Sequence, residues 1–283
     1  MHRGKSRTSK TTETQDSYNP AVYFLRRGDI FAPMPPSGLC VGLDIDLAKL
    51  PRHLQQRDDA VVLFNHAVIE ATRHVAASYK INLAFYEKLG RSGIDAMYAT
   101  REMVGSSYLI ADAKRGDIGN TSSAYAAALF EDLRADAVTV APYMGRDSVE
   151  PFLAVPGRMV YVLALTSNPG SQDFQRCLVD GEPLYRRVMR LAQSWERSGE
   201  IGFVVGATHP DELAEIRTSW PDVPLLIPGL GSQGGDEAAT VAANGRGPAL
   251  YNVSRGLLYR SGEENFHEAI RTEAERLAGV LTS

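Results

Sequence analysis

From residue 39 onward, short apolar runs rich in β-branched residues alternate with longer stretches whose apolar positions recur at helical spacing. That alternation is the pattern of successive βα units and a parallel sheet. It predicts strands over residues 39–44, 79–82, 108–112, 137–140, 159–165, 202–206, 224–228 and 249–253. Helical periodicity predicts helices over 59–77, 123–133, 184–198 and 210–220, and a closing helix near 264–281. Eight strands with intervening helices in about 250 residues specify the α/β class and a single (β/α)8 TIM barrel, whose active site lies at the strand C-terminal ends.

Residues 1–20 are polar, rich in Ser, Thr and Lys, and lack apolar periodicity. A disordered tail is expected there, with the barrel domain over 21–283. An apolar patch at residues 21–25 precedes a Pro-rich approach, Pro33 to Pro36, which forbids a continuous helix. A short helix against the barrel's bottom is expected from the patch.

Composition narrows the class. With 44% hydrophobic and 23% charged residues, the 283-residue chain has the make-up of a soluble globular protein. Its net charge of −4 carries no electrostatic footprint for nucleic acid or an anionic membrane, so an anionic ligand needs a local site. Cys40 and Cys177 are too few for a disulfide framework, and a reducing cytoplasm is expected. The six histidines have no metal-ligand spacing, so no metal is expected. No apolar run approaches the ~20 residues needed to cross a bilayer, and no secretory segment opens the chain. A cytoplasmic enzyme or binding protein is the expectation.

In a barrel, polar residues at strand C-terminal ends read as chemistry, because the interior lower down is packed with side chains. The candidate ends are polar: Asp44 after strand 1, Lys80 and Asn82 in strand 2, Asp112 with Lys114 and Asp117 after strand 3, and Thr166, Ser167 and Asn168 after strand 5. Asp112 and Lys114 are two apart, so an extended backbone points both to one side. A loop of solvated charges explains such a motif in isolation. With Asp44 and Lys80 from the two preceding strands, however, four ionisable groups of alternating sign share one mouth. Interleaved aspartates keep both lysines protonated. The array suits a reaction in which negative charge develops on carbon and is quenched by an ammonium proton.

The run Gly229-Leu230-Gly231-Ser232-Gln233-Gly234-Gly235-Asp236 formally contains a dinucleotide-binding GxGxxG, but it follows the seventh strand and not the first. It reads better as a barrel phosphate site, with Arg255 after strand 8 as a bidentate clamp. Ser167 and Asn168 before Pro169 either form a turn or present polar groups to a heterocycle. His209 suits a capping or packing role, Glu87 and Lys88 a solvated helix face, and Tyr143, Met144 and Gly145 a turn or pocket wall.

The run Asp112-Ala113-Lys114-Arg115-Gly116-Asp117-Ile118-Gly119-Asn120-Thr121 resembles the signature of the orotidine 5′-monophosphate decarboxylase family, in its longer bacterial branch. Similarities continue in family order through Val41 to Asp44, Lys80 to Glu87, Thr166 to Gly170, Val205 to Thr208, Pro228 to Asp236 and Ser254 to Gly256, over roughly residues 38–280. The resemblance implies cofactor-free conversion of orotidine 5′-monophosphate to UMP and CO2. It implies Lys114 as proton donor, Asp112 against the departing carboxylate, and Lys80 with Asp44 completing the array and contacting the ribose. Asn82 joins the substrate-binding set. Ser167, beside Asn168, would read the pyrimidine edge. Gln233, with Gly234 and Gly235, and Arg255 would hold the phosphate. Asp117, with Ile118 and Thr121, would serve the neighbouring subunit's site in a homodimer with shared active sites. The chain departs from the branch at Ile45-Asp46-Leu47, where Pro-His is more usual. Two other readings stand beside this one: a metal-dependent sugar-phosphate synthase of the same superfamily, such as a hexulose-phosphate synthase, and a silent UMP-binding protein.

Overall fold

The computed structural model describes residues 33–35, 37–231 and 236–282. The tail expected over residues 1–20 and the apolar patch at 21–25 lie outside the described residues. Strands run in chain order as β1 (Ser37–Gly42), β2 (Ser78–Asn82), β3 (Leu109–Arg115), β4 (Ala137–Val140), β5 (Met159–Leu165), β6 (Leu178–Val179), β7 (Glu182–Pro183), β8 (Glu200–Val205), β9 (Leu225–Pro228) and β10 (Ala249–Val253). All but β6 and β7 form one closed parallel barrel in the order β1-β2-β3-β4-β5-β8-β9-β10, and β10 pairs back onto β1 from Ser37↔Ala249 to Val41↔Val253. These are the eight strands that the alternation predicts, displaced by at most three residues at an end.

Period-two alternation divides the core. Leu39, Val41, Tyr79, Ile81, Leu109, Ala111, Val138 and Val160 point outward into the larger apolar cluster, shared with the helices. Cys40, Ile110, Ala137, Tyr161, Val204, Leu226 and Leu250 point inward and fill the lower barrel as a second cluster. Toward the strand C-terminal ends the inward positions turn polar, through Lys80, Asp112, Thr139 and Asn252. The change marks where packing ends and a site begins.

Helices fall where periodicity places them, with shifted ends. The helix expected over 59–77 is Ala60–Thr72, after which residues 73–77 close in turns. The one expected over 123–133 begins earlier, at Gly119, and runs into a π-helical turn at Ala128–Asp132. The antiparallel β6–β7 hairpin was not anticipated. Its turn, Asp180-Gly181, has positive φ at both residues, 56° and 81°. That is the two-residue hairpin geometry which an Asp-Gly pair favours.

Candidate active site

The polar mouth is built strand by strand. Lys80 faces inward from β2 and is 3% exposed. Its Nζ lies 3.3 Å from Asp44 Oδ1 and 3.0 Å from Asp112 Oδ2. Lys114 Nζ bonds the other oxygen of the Asp112 carboxylate, Oδ1. Asp44, Lys80, Asp112 and Lys114 therefore form a chain of alternating charge across the exits of three adjacent strands. Burial alone disfavours the Lys80 ammonium, but Asp112 and Asp44 outweigh it and raise its pKa above the ordinary lysine value. Burial likewise opposes the Asp112 carboxylate, and Lys80 and Lys114 overcome it, holding that group well below the usual carboxylate range. Both groups are charged at neutral pH.

The extended backbone that spacing suggests for Asp112 to Lys114 is corrected by the structure. Lys114 has φ of 48°, in the left-handed region. The β3–β4 pairing is regular through Ala111↔Val138 and resumes only at Arg115↔Val140, so a bulge lies between. The lysine reaches the mouth from this bulge, and its backbone N–H donates to Thr139 Oγ1 at 3.0 Å. Thr139 Oγ1 in turn donates to Asp112 Oδ1 at 2.8 Å.

These residues open on a cavity of about 330 Å³, which Asn82, Ser167, Asn168, Leu163, Leu226 and Arg255 also line. Its wall mixes apolar side chains such as Leu163, Val204 and Leu226 with the charged array and Arg255, the make-up of a small-molecule site. Asn82 is also the N-cap of the helix Leu83–Glu87, accepting from Ala84 N at 3.3 Å. Ser167 packs against Gly206 so closely that a Cβ there would sit 2.8 Å from the serine Cβ. Across the mouth, Gly229 and Gly231 carry positive φ, 103° and 69°, and the following helix Glu237–Asn244 is capped by Asp236. Arg255 opens the short helix Arg255–Leu258. Gln233, Gly234 and Gly235 lie outside the described residues.

Asp117, Ile118 and Thr121 do not line this cavity. They leave β3 toward solvent: Ile118 is 56% exposed, and Asp117 Oδ1 accepts from the Ile118 N–H at 2.8 Å. Gly116 is required within the same motif, since a Cβ would lie 2.7 Å from the Ala141 carbonyl oxygen. Asp46 accepts from Ala48 N at 3.3 Å and caps the short 3-10 helix Leu47–Lys49. Glu87, expected on a solvated face, pairs with Arg115, whose guanidinium also lies 5.2 Å from the Tyr125 ring centroid. Tyr143 and Met144 form a turn and not a pocket wall; Tyr143 is 84% exposed. Thr139 and Asn252 line the cavity although the motifs did not single them out. Their signal is parity: each is two residues beyond an inward apolar residue of its strand, Ala137 or Leu250.

Comparisons with known proteins agree with this geometry. The model of the orotidine 5′-phosphate decarboxylase / HUMPS family matches residues 37–270. An orotidine 5′-phosphate decarboxylase of Herpetosiphon aurantiacus is 47% identical over 255 residues, covering 89% of this chain and 95% of the relative. Among solved structures, Leishmania donovani OMP decarboxylase superposes with a TM-score of 0.74 at 38% identity, over 88% of this chain and 95% of that one. Leishmania donovani UMP synthase gives the same TM-score and identity over 86% of this chain, which spans 54% of that longer protein. A matched model across most of the barrel, together with a relative this similar over nearly its whole length, places the chain in the orotidine 5′-phosphate decarboxylase / HUMPS family.

Proposed function

We propose that the chain decarboxylates orotidine 5′-monophosphate to UMP and CO2, and that the Asp44–Lys80–Asp112–Lys114 array carries the reaction. The observation that supports it most is the pairing of a carboxylate held ionised, Asp112, with the half-exposed ammonium of Lys114 at the mouth of a 330 Å³ cavity. Breaking the bond between C6 and the carboxylate leaves its electron pair on C6. No ring position accepts that charge. A fixed ammonium stabilises it and then delivers the proton that makes UMP. In this reading Lys114 is the donor, Asp112 faces the departing carboxylate, and Lys80 and Asp44 hold the array and meet the ribose. Asn82, Ser167 and Asn168 border the nucleoside. Arg255, with Gln233, Gly234 and Gly235, takes the phosphate. Binding energy from that remote group is available to drive the chemical step.

The same reading makes the enzyme a cytoplasmic homodimer with shared sites. Asp117, Ile118 and Thr121 do not line their own cavity, and Ile118, Tyr143, Met144 and Phe174 expose apolar surface on the segments that follow three neighbouring strands. Such a patch suits a second copy of the chain, with Asp117 reaching the partner's cavity. Among the described residues no helix is long and apolar enough to cross a membrane.

The test is loss of orotidylate absorbance with purified protein in excess EDTA. Turnover in chelator is expected. Turnover that appears only when Mg2+ is supplied would overturn the metal-free array, and no turnover with or without Mg2+ would replace this reading with the metal-dependent sugar-phosphate synthase.

A further inference from the structure

Thr139 is the polar member of the four-residue strand β4, Ala137-Val138-Thr139-Val140. It is 1% exposed, and its hydroxyl makes two bonds that end on neighbouring members of the array. Oγ1 donates to Asp112 Oδ1 at 2.8 Å and accepts from the Lys114 N–H at 3.0 Å. The first bond uses the hydroxyl's proton and the second one of its lone pairs, so both form together.

Each bond fixes something that the fold alone leaves loose. At the bulge between Ala111 and Arg115 the regular β3–β4 ladder is interrupted, and the Lys114 N–H finds a side-chain oxygen there. A lysine with positive φ is strained and persists only where its surroundings hold it. At Asp112, Oδ1 is shared by Thr139 and Lys114 Nζ while Oδ2 takes Lys80 Nζ. Turning the carboxylate would break contacts on both oxygens. Thr139 thus joins the backbone that aims the ammonium to the carboxylate that the ammonium bonds.

Resting on the decarboxylase reading above, we propose that Thr139 is a positioning residue for the reaction, whose hydroxyl holds Asp112 and the bulged backbone of Lys114 in register. Valine has nearly the volume and β-branching of threonine, so Thr139→Val removes the hydroxyl and little else. Displacing a reacting group by about 1 Å costs up to about a hundredfold in rate, so kcat of Thr139→Val is expected to fall about tenfold to a hundredfold. The Kd for UMP, measured by calorimetry, is expected to stay within about threefold, because the phosphate end is untouched. Thr139→Ser restores the hydroxyl and is expected to keep at least about half of wild-type kcat. Three results overturn the proposal: wild-type kcat in the valine variant, equal losses in the valine and serine variants, or a loss of UMP affinity as large as the loss of kcat. If the valine protein gives no cooperative melt, Thr139→Cys, a weak donor of similar size, is held to the same thresholds. Wild-type protein is assayed first, and its inactivity would defeat the decarboxylase reading itself and not the role of Thr139.

Discussion

Charge is buried at both ends of this barrel, but its partners differ. At the N-terminal ends of the strands, Asp136 and Arg158 lie 3.3 Å apart and each also reaches main chain. Asp136 accepts from Leu109 N at 2.9 Å, and Arg158 donates to the Phe130 carbonyl at 3.3 Å. Arg217 goes further: it donates to Asn244 Oδ1 at 2.8 Å and to the carbonyls of Pro221, Val223 and Pro248 at 3.2, 2.6 and 2.9 Å. Burial lowers its pKa to about 10, which still leaves it charged at neutral pH. At the C-terminal ends, Asp44, Lys80, Asp112 and Lys114 hold mainly one another and border a cavity. A charge tied to several carbonyls staples segments of chain together. A charge tied to other charges beside a cavity keeps its field directed at whatever enters. One end of the barrel is therefore built for stability and the other for chemistry.

The sharpest way to break that division is to remove one charge from each end and measure both properties. Lys114→Ala is expected to lower kcat by at least about a thousandfold, combining the loss of general acid and of electrostatic stabilisation. Its Tm and its calorimetric affinity for UMP should remain near wild type, since Lys114 is half exposed and Arg255 is untouched. Near-normal turnover would remove Lys114 from the proton-donor role. A collapse in Tm would show that the upper charges also hold the fold.

Arg217→Ala should give the opposite pattern. It strips donors from three carbonyls and from Asn244, in a site so tight that a Cβ on Gly247 would meet the guanidinium at 2.4 Å. A loss of about 3 kcal/mol is expected, read as a fall in Tm of roughly 6–12 °C. The kcat of the protein that remains folded should stay within about twofold of wild type, because Arg217 lies at the other end of the barrel from the cavity. A large fall in kcat with unchanged Tm would erase the distinction between the ends.

Much of this was legible in the chain because its signals are local. Short β-prone apolar runs located every barrel strand, and the charges Asp44, Lys80, Asp112 and Lys114 were visible as polar residues at strand ends. What stayed hidden depends on contacts between distant residues or on backbone conformation. The bulge at Lys114 follows from how β3 pairs with β4, which spacing within β3 does not reveal. Thr139 is one threonine of a short apolar strand, and only the pairing of β4 with β3 puts its hydroxyl on Asp112. Arg115 and Glu87, 28 positions apart, pair only once the exits of β2 and β3 are adjacent. The Asp180-Gly181 turn carried a local signal for its hairpin, which the longer βα rhythm around it masked.

The comparison has a further consequence for assembly. The lower charges find partners within one chain, whereas Asp117, from the same motif as Asp112 and Lys114, is not among the residues that line its own cavity. If each site takes Lys114 from one subunit and Asp117 from the other, Lys114→Ala and Asp117→Asn homodimers should both be nearly inactive. Mixing them should restore activity. In a mixed dimer one site collects both lesions, while the other receives an intact Lys114 from the Asp117 variant and an intact Asp117 from the Lys114 variant. With random exchange about half the dimers are mixed and each has one intact site of two, so recovery should approach ~25% of wild type. Mass-tagged subunits establish that exchange has reached completion before activity is read. Complete exchange with activity still at the level of the parents would place Asp117 in service of its own chain, and the upper site would then be as self-contained as the lower one.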